Sequence, residues 1–104
     1  MRSADFRRVY DQGHRYSGPL FAAFYTARPE CEGPKIGFTV PRAVGKAVVR
    51  NRIKRRVREA VRLRLDQLNP QCEVVINPRR RVLEAPFPEI EREVEKLFQR
   101  CALS

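Results

Sequence analysis

The chain has 104 residues, with 22 Lys+Arg against 12 Asp+Glu, a formal net charge of +10 and 42% hydrophobic side chains. That length suits a single domain over 1–104 with one modest core, and the apolar content is too high for a disordered basic tail. No window approaches the roughly 18 apolar residues of a membrane span, and no apolar run follows Met1-Arg2-Ser3-Ala4-Asp5, so a cytoplasmic setting and an anionic partner, nucleic acid first, are expected.

In chain order, Ser3 is a good N-cap for a helix over about 3–12, with Asp5 in the first turn and Phe6, Val9 and Tyr10 on one face. Gly13 ends it. Arg15 to Ser17 reads as a short strand broken by Gly18-Pro19, and Leu20 to Ala27 as an aromatic-rich strand. Arg28 to Pro34 is a loop. In the strand Lys35 to Val40, Ile36, Phe38 and Val40 point one way, Gly37 and Thr39 the other. A turn through Gly45 leads to the longest helix, about 46–68, with the apolar stripe Val49, Ile53, Val57, Ala60, Val61 and Leu68. Asn69-Pro70 stops it. Glu73 to Ile76 is a short buried strand, and Asn77-Pro78-Arg79-Arg80-Arg81 a basic loop or turn of helix. The last helix, about 86–102, buries Phe87, Ile90, Val94, Leu97, Phe98 and Cys101. Two amphipathic helices on one sheet face give an α+β sandwich, with the short first helix partly covering the other face.

The three cysteines, Cys31, Cys72 and Cys101, are widely spaced, and His14 is the one histidine. A structural zinc site needs four ligands in close pairs, so no metal is expected on the protein. Reduced thiols are expected instead. Asp5, Asp11 and Asp66 are scattered, and no P-loop or G-x-S-x-G occurs. No catalytic residues are assigned, and the protein alone is expected to lack hydrolytic chemistry.

The charge is uneven. Residues 1–41 carry 6 basic and 4 acidic side chains, 42–64 carry 10 and 1, and 65–104 carry 6 and 7. On the long helix Asn51, Arg52, Lys54, Arg55, Arg56, Arg58 and Arg62 fan across the side opposite the apolar stripe. Arginine suits phosphate because its planar fork donates paired hydrogen bonds. Like charges at Lys54–Arg58 and Arg58–Arg62 disfavour the isolated helix, a strain that a polyanion relieves. In Leu20–Ala27 both faces carry large side chains: Phe21 and Tyr25 on one, Leu20 and Phe24 on the other. One aromatic face edged by Arg42 and Lys46 suits single-stranded RNA, where bases stack and phosphates meet cations.

The run Gly45-Lys46-Ala47-Val48-Val49-Arg50-Asn51-Arg52-Ile53-Lys54-Arg55-Arg56-Val57-Arg58-Glu59-Ala60 resembles the signature of the bacterial ribonuclease P protein subunit, with Arg50-Asn51-Arg52 as its hallmark. Asp5-Phe6-Arg7-Arg8-Val9-Tyr10, Ile36-Gly37-Phe38-Thr39-Val40 and Glu73-Val74-Val75-Ile76 extend the likeness over about 3–103. Pro41-Arg42-Ala43 and Asn77-Pro78-Arg79 depart from the family's usual residues, and the basic N-terminal extension is reduced to Arg2. The resemblance implies a two-layer α/β sandwich with a four-stranded sheet in αβββαβα order, a left-handed crossover, and a ribosomal-protein-S5-domain-2-like fold. It implies that Arg50, Asn51, Arg52, Lys54, Arg55, Arg58 and, on the same face, Arg62 contact the catalytic RNA. It also implies a cleft for the 5′ leader of precursor tRNA, formed by Phe6, Tyr10 and Phe24 with Arg42 and Lys46. The implied reaction is endonucleolytic hydrolysis of one phosphodiester, leaving a 5′ phosphate on mature tRNA, with Mg²⁺ bound mainly by the RNA. The implied partners are that RNA and precursor tRNA, with no obligate protein partner and no membrane. A generic RNA-binding or ribosomal-type protein, and a DNA-binding module with the arginine helix in a major groove, are the competing readings.

Overall fold

Alternating large side chains build a four-stranded sheet whose two faces receive different helices. The computed structural model describes residues 3–27, 35–67 and 72–102. The elements are α1 (Ser3–Gln12), β1 (His14–Ser17), β2 (Phe21–Ala27), β3 (Lys35–Phe38), α2 (Ala47–Leu63), β4 (Cys72–Pro78) and α3 (Phe87–Ala102). Short 3-10 turns stand at Arg42–Val44, Leu65–Gln67 and Arg80–Leu83. The expected 28–34 loop with Cys31, and the expected helix stop at Leu68-Asn69-Pro70, lie outside the described residues.

The sheet order is β1-β2-β4-β3. β2 is antiparallel to β1 and β4, whereas β3 and β4 are parallel, with Phe38 opposite Ile76. Parallel neighbours need a crossover, and α2 supplies it. Phe21, Ala23 and Tyr25 of β2 and Val74 and Ile76 of β4 pack with Ile53 and Val57 of α2 and Val94, Leu97 and Phe98 of α3. Each Val, Ile, Leu or Phe among them contributes about 1.5–3 kcal/mol when fully buried. The alternate residues of the same strands face α1, where Val9 is fully buried.

Several boundaries differ from those expected. α2 ends at Leu63 rather than near 68, because the next inward position is Arg64, which interrupts the apolar stripe after Val61. Arg64 instead reaches Glu91 at 3.4 Å and Glu95 at 3.6 Å on α3. β4 runs past Ile76 through Asn77-Pro78 because Phe21 and Ala22 of β2 pair with them. Pro78 is tolerated as the last residue, beyond the end of the register with β3. β3 stops at Phe38, although the Thr39 N–H still donates to the Ile76 carbonyl at 3.0 Å. Leu20 does not share a face with Phe24. It precedes β2 in a turn and packs in the helix-side core.

Candidate nucleic-acid interface

The first part of the site is the polar side of α2. Ile53, Val57, Ala60 and Val61 bury one side of this helix, so the other side is held outward. Asn51, Arg52, Arg55, Arg58 and Arg62 are exposed there, and Arg50 and Lys54 are half-buried. Arg62 pairs with Glu59 at 3.0 Å, an exposed bond of little strength. Arg58 lies over the Phe38 ring, 5.9 Å from its centroid, so its guanidinium is braced while remaining in solvent. The Arg50 Nε is buried without a hydrogen-bond partner among the described residues.

Arg56, expected in the outward fan, is a correction. Its guanidinium turns to the 3-10 turn before α3 and donates to the Leu83 carbonyl at 3.1 Å and the Ala85 carbonyl at 2.6 Å. The sequence pattern misplaces it because Arg56 sits at the border of the apolar stripe, where a long side chain can turn either way.

The second part is the turn that leads into α2. Arg42 lies in the 3-10 turn Arg42–Val44, and Lys46 is the N-cap of α2 with no side-chain cap. Both are exposed. The uncapped N–H groups and the positive helix end add to the cations instead of offsetting them. Arg80 donates to the Val44 carbonyl at 3.0 Å and so ties this turn to the segment after β4.

The third part is a groove on the α1 side of the sheet. The Tyr10 ring meets Phe24 edge-on, with centroids 4.7 Å apart. The Tyr10 hydroxyl donates to Asn77 Oδ1 at 3.0 Å and lies 3.1 Å from Thr39 Oγ1. The Thr39 hydroxyl also donates to Asn77 Oδ1. Tyr10, Thr39, Val40, Pro41 and Asn77 enclose about 480 Å³. Arg15 from β1 reaches over Phe24, 6.0 Å from its centroid. The structure thus brings Tyr10 and Phe24 together and places Arg42 one residue beyond the groove wall at Pro41. Phe6 belongs to α1, but its side chain lies outside the described residues. Tyr16, Phe21, Tyr25 and Phe38 turn to the helix side. Thr39, Asn77 and Arg15 were not expected here. Period two along β3 and β4 would have found the first two, since Thr39 alternates with Phe38 and Asn77 with Ile76.

Among the described residues, no group of three or more His, Cys, Asp or Glu gathers to hold a metal. No described helix is long and apolar enough to cross a membrane. What the arrangement offers is cations, an uncapped helix start and a half-exposed aromatic pair.

Fold and site together define a small α+β domain built around a polycationic crossover helix. The ribonuclease P family profile matches residues 1–102. The chain is 40% identical over 99 residues to the ribonuclease P protein component of Symbiobacterium thermophilum, covering 94% of this chain and 85% of that one. It is 30% identical to the protein of the same name in Clostridioides difficile, covering 99% and 90%. Its fold matches the RNase P protein of Thermotoga maritima with a TM-score of 0.84, at 25% identity and coverage of 96% and 94%. A Staphylococcus aureus RNase P protein superposes with a TM-score of 0.81 at 24% identity, covering 98% and 92%. The chain belongs to the ribonuclease P protein family, the protein components of a tRNA-processing ribonuclease.

Proposed function

We propose that this protein binds the catalytic RNA of ribonuclease P through α2 and the 5′ leader of precursor tRNA through the Tyr10–Phe24 groove. Arg50, Asn51, Arg52, Lys54, Arg55, Arg58 and Arg62 meet phosphates of the catalytic RNA. In the groove, a leader base stacks beside Tyr10 and Phe24 while Arg42 and Lys46 meet the backbone. The RNA holds the Mg²⁺ that hydrolysis requires. The protein contributes charge neutralisation and leader binding, and is inert alone.

One observation carries this reading. α2 presents six arginines and lysines beside Asn51 with a single carboxylate, Glu59, on the same helix. Such a surface repels itself until a polyanion arrives.

The test is reconstitution. Precursor tRNA and the cognate catalytic RNA are combined at low Mg²⁺, with and without the protein. Cleavage is expected to need less Mg²⁺ with the protein present, and leader-bearing tRNA to bind more tightly than mature tRNA. An unchanged Mg²⁺ requirement would mean a generic RNA-binding role. Equal affinity for the two tRNAs would remove the groove from the leader's path.

A further inference from the structure

The stretch 65–104 is almost neutral in sequence, with 6 basic and 7 acidic side chains. On α3 the cations gather on one flank, while two of its four acids face the other way. Glu91 and Glu95 lie on the flank that faces α2, where they meet Arg64 at 3.4 and 3.6 Å. Arg92, Lys96 and Arg100 occupy the other flank, which Glu89 and Glu93 share, roughly a third to half a turn away. That flank and the turn between β1 and β2 enclose a trough of about 280 Å³, lined by Pro19, Leu20, Arg81, Arg92, Glu93 and Lys96 among others. The trough continues along Lys96 and Arg100 past Ser17 and Gly18.

The acids do not neutralise it. The Glu93 carboxylate is turned inward, 5% exposed, and accepts the Leu20 N–H at 3.1 Å. Glu89 is the one exposed carboxylate on the wall. Arg81 and Arg92 are exposed, and their guanidinium groups have no hydrogen bond or ion pair among the described residues. Arg79, at the rim, is steadied by the Gly18 carbonyl at 3.1 Å. Arg100 lies over the Tyr16 ring, 5.7 Å from its centroid. Cations from two separate segments, the stretch after β4 and α3, therefore converge on an open trough, where two unengaged guanidinium forks match the geometry of phosphate.

We propose that this trough, on the flank of α3 away from α2, is a second phosphate-binding site that takes a short run of RNA backbone. It is additional to α2 and to the Tyr10–Phe24 groove, and rests only on the chain's being an RNA partner. With α2 it would let one small domain grip two RNA segments on opposite flanks of α3.

The test uses the full-length double variant Arg81→Gln/Arg92→Gln, which leaves Lys96 and Glu93 in place. Binding is measured against salt with the catalytic RNA and, separately, with precursor tRNA. Arg52→Ala/Arg55→Ala reports on α2, and Arg7→Gln/Lys35→Gln removes the same two charges elsewhere. Loss of two phosphate contacts is expected to lower the salt slope by about 1.4–1.8 log units per log unit of salt with one of the two RNAs. The RNA that shows the loss identifies the source of the phosphates. An unchanged slope with both RNAs overturns the site, and so does an equal loss in the charge-matched control. If α2 variants lose slope while the trough variant does not, the function proposed above stands and the second site falls. If neither pair loses slope, both fail.

Discussion

Glu93 is a buried acid whose carboxylate is met by the backbone N–H groups of Leu20 and Phe21. Its carboxylate accepts the Leu20 N–H, and a Cβ placed on Gly18 would come within 1.8 Å of Oε1, so glycine leaves the space the carboxylate occupies. Burial raises its pKa above the ordinary 4.5, opposed by the Leu20 N–H and by the fields of Lys96 and Arg79. The folded chain therefore holds this proton more tightly than the unfolded chain. The stabilising contribution is complete at low pH and is lost as pH rises through the raised folded value. Glu93→Gln keeps an acceptor for Leu20 without the charge. In urea titrations, the wild type should gain stability relative to Glu93→Gln as the pH falls from neutral into the acid range. Glu93→Ala orphans a buried N–H and should cost about 1–3 kcal/mol at any pH. Gly13 is constrained by its own backbone surroundings, since a Cβ there would lie 2.4 Å from the Val9 carbonyl oxygen and 2.8 Å from that of Tyr25. Gly13→Ala should lower the urea midpoint by the equivalent of about 1–3 kcal/mol, the usual effect of overpacking. Cys72 and Cys101 are both buried, and the hydrogen bond to Cys72 together with burial pushes the Cys101 thiol up. It stays protonated and inert at neutral pH.

At the scale of elements, α2 does two jobs with one residue type. Its outward arginines face solvent, whereas Arg56 and Arg64 fix it to the rest of the fold. Arg56→Ala removes two bonds to the Leu83 and Ala85 carbonyls. It should lower stability by about 1.5–3 kcal/mol in a urea melt and leave the salt slope of RNA binding unchanged. Arg52→Ala and Arg55→Ala should do the reverse, each flattening the slope by about 0.7–0.9 with little change in the melt. Local patterning made α1, α2, α3 and β2 legible, because period 3.6 and period 2 act within one element. The ends were less so. Neither Arg64 closing α2 nor Asn77-Pro78 extending β4 has a local signal, since one depends on Glu91 and Glu95 across the interface and the other on Phe21 and Ala22 across the ladder. The corrected side of Leu20 has the same cause: its N–H is claimed by Glu93 from α3.

For the molecule as a whole, a net charge of +10 is held by a domain whose Cα radius of gyration is 12.9 Å. A ligand that binds only the folded state stabilises it. A short unstructured oligoribonucleotide, at micromolar concentration where general salt effects are negligible, should raise the thermal midpoint. That gain should shrink in Arg52→Ala/Arg55→Ala, and an equal gain in both proteins would place the main contact elsewhere. The sequence by itself determined the order of helices and strands, the apolar and basic sides of α2, and the family, all carried by short-range periodicity and one contiguous motif. The tertiary structure decided which of the described aromatic side chains line the α1 side of the sheet, putting Tyr10 and Phe24 there. It also brought Thr39 and Asn77 to Tyr10, turned Arg56 and Arg64 inward, and set the cation flank of α3 against the turn between β1 and β2. These depend on pairs 29, 67 and 73 residues apart, such as Tyr10 with Thr39, Tyr10 with Asn77 and Leu20 with Glu93. Such pairs meet only once strand register and helix packing are set, and no local pattern in the chain encodes that distance.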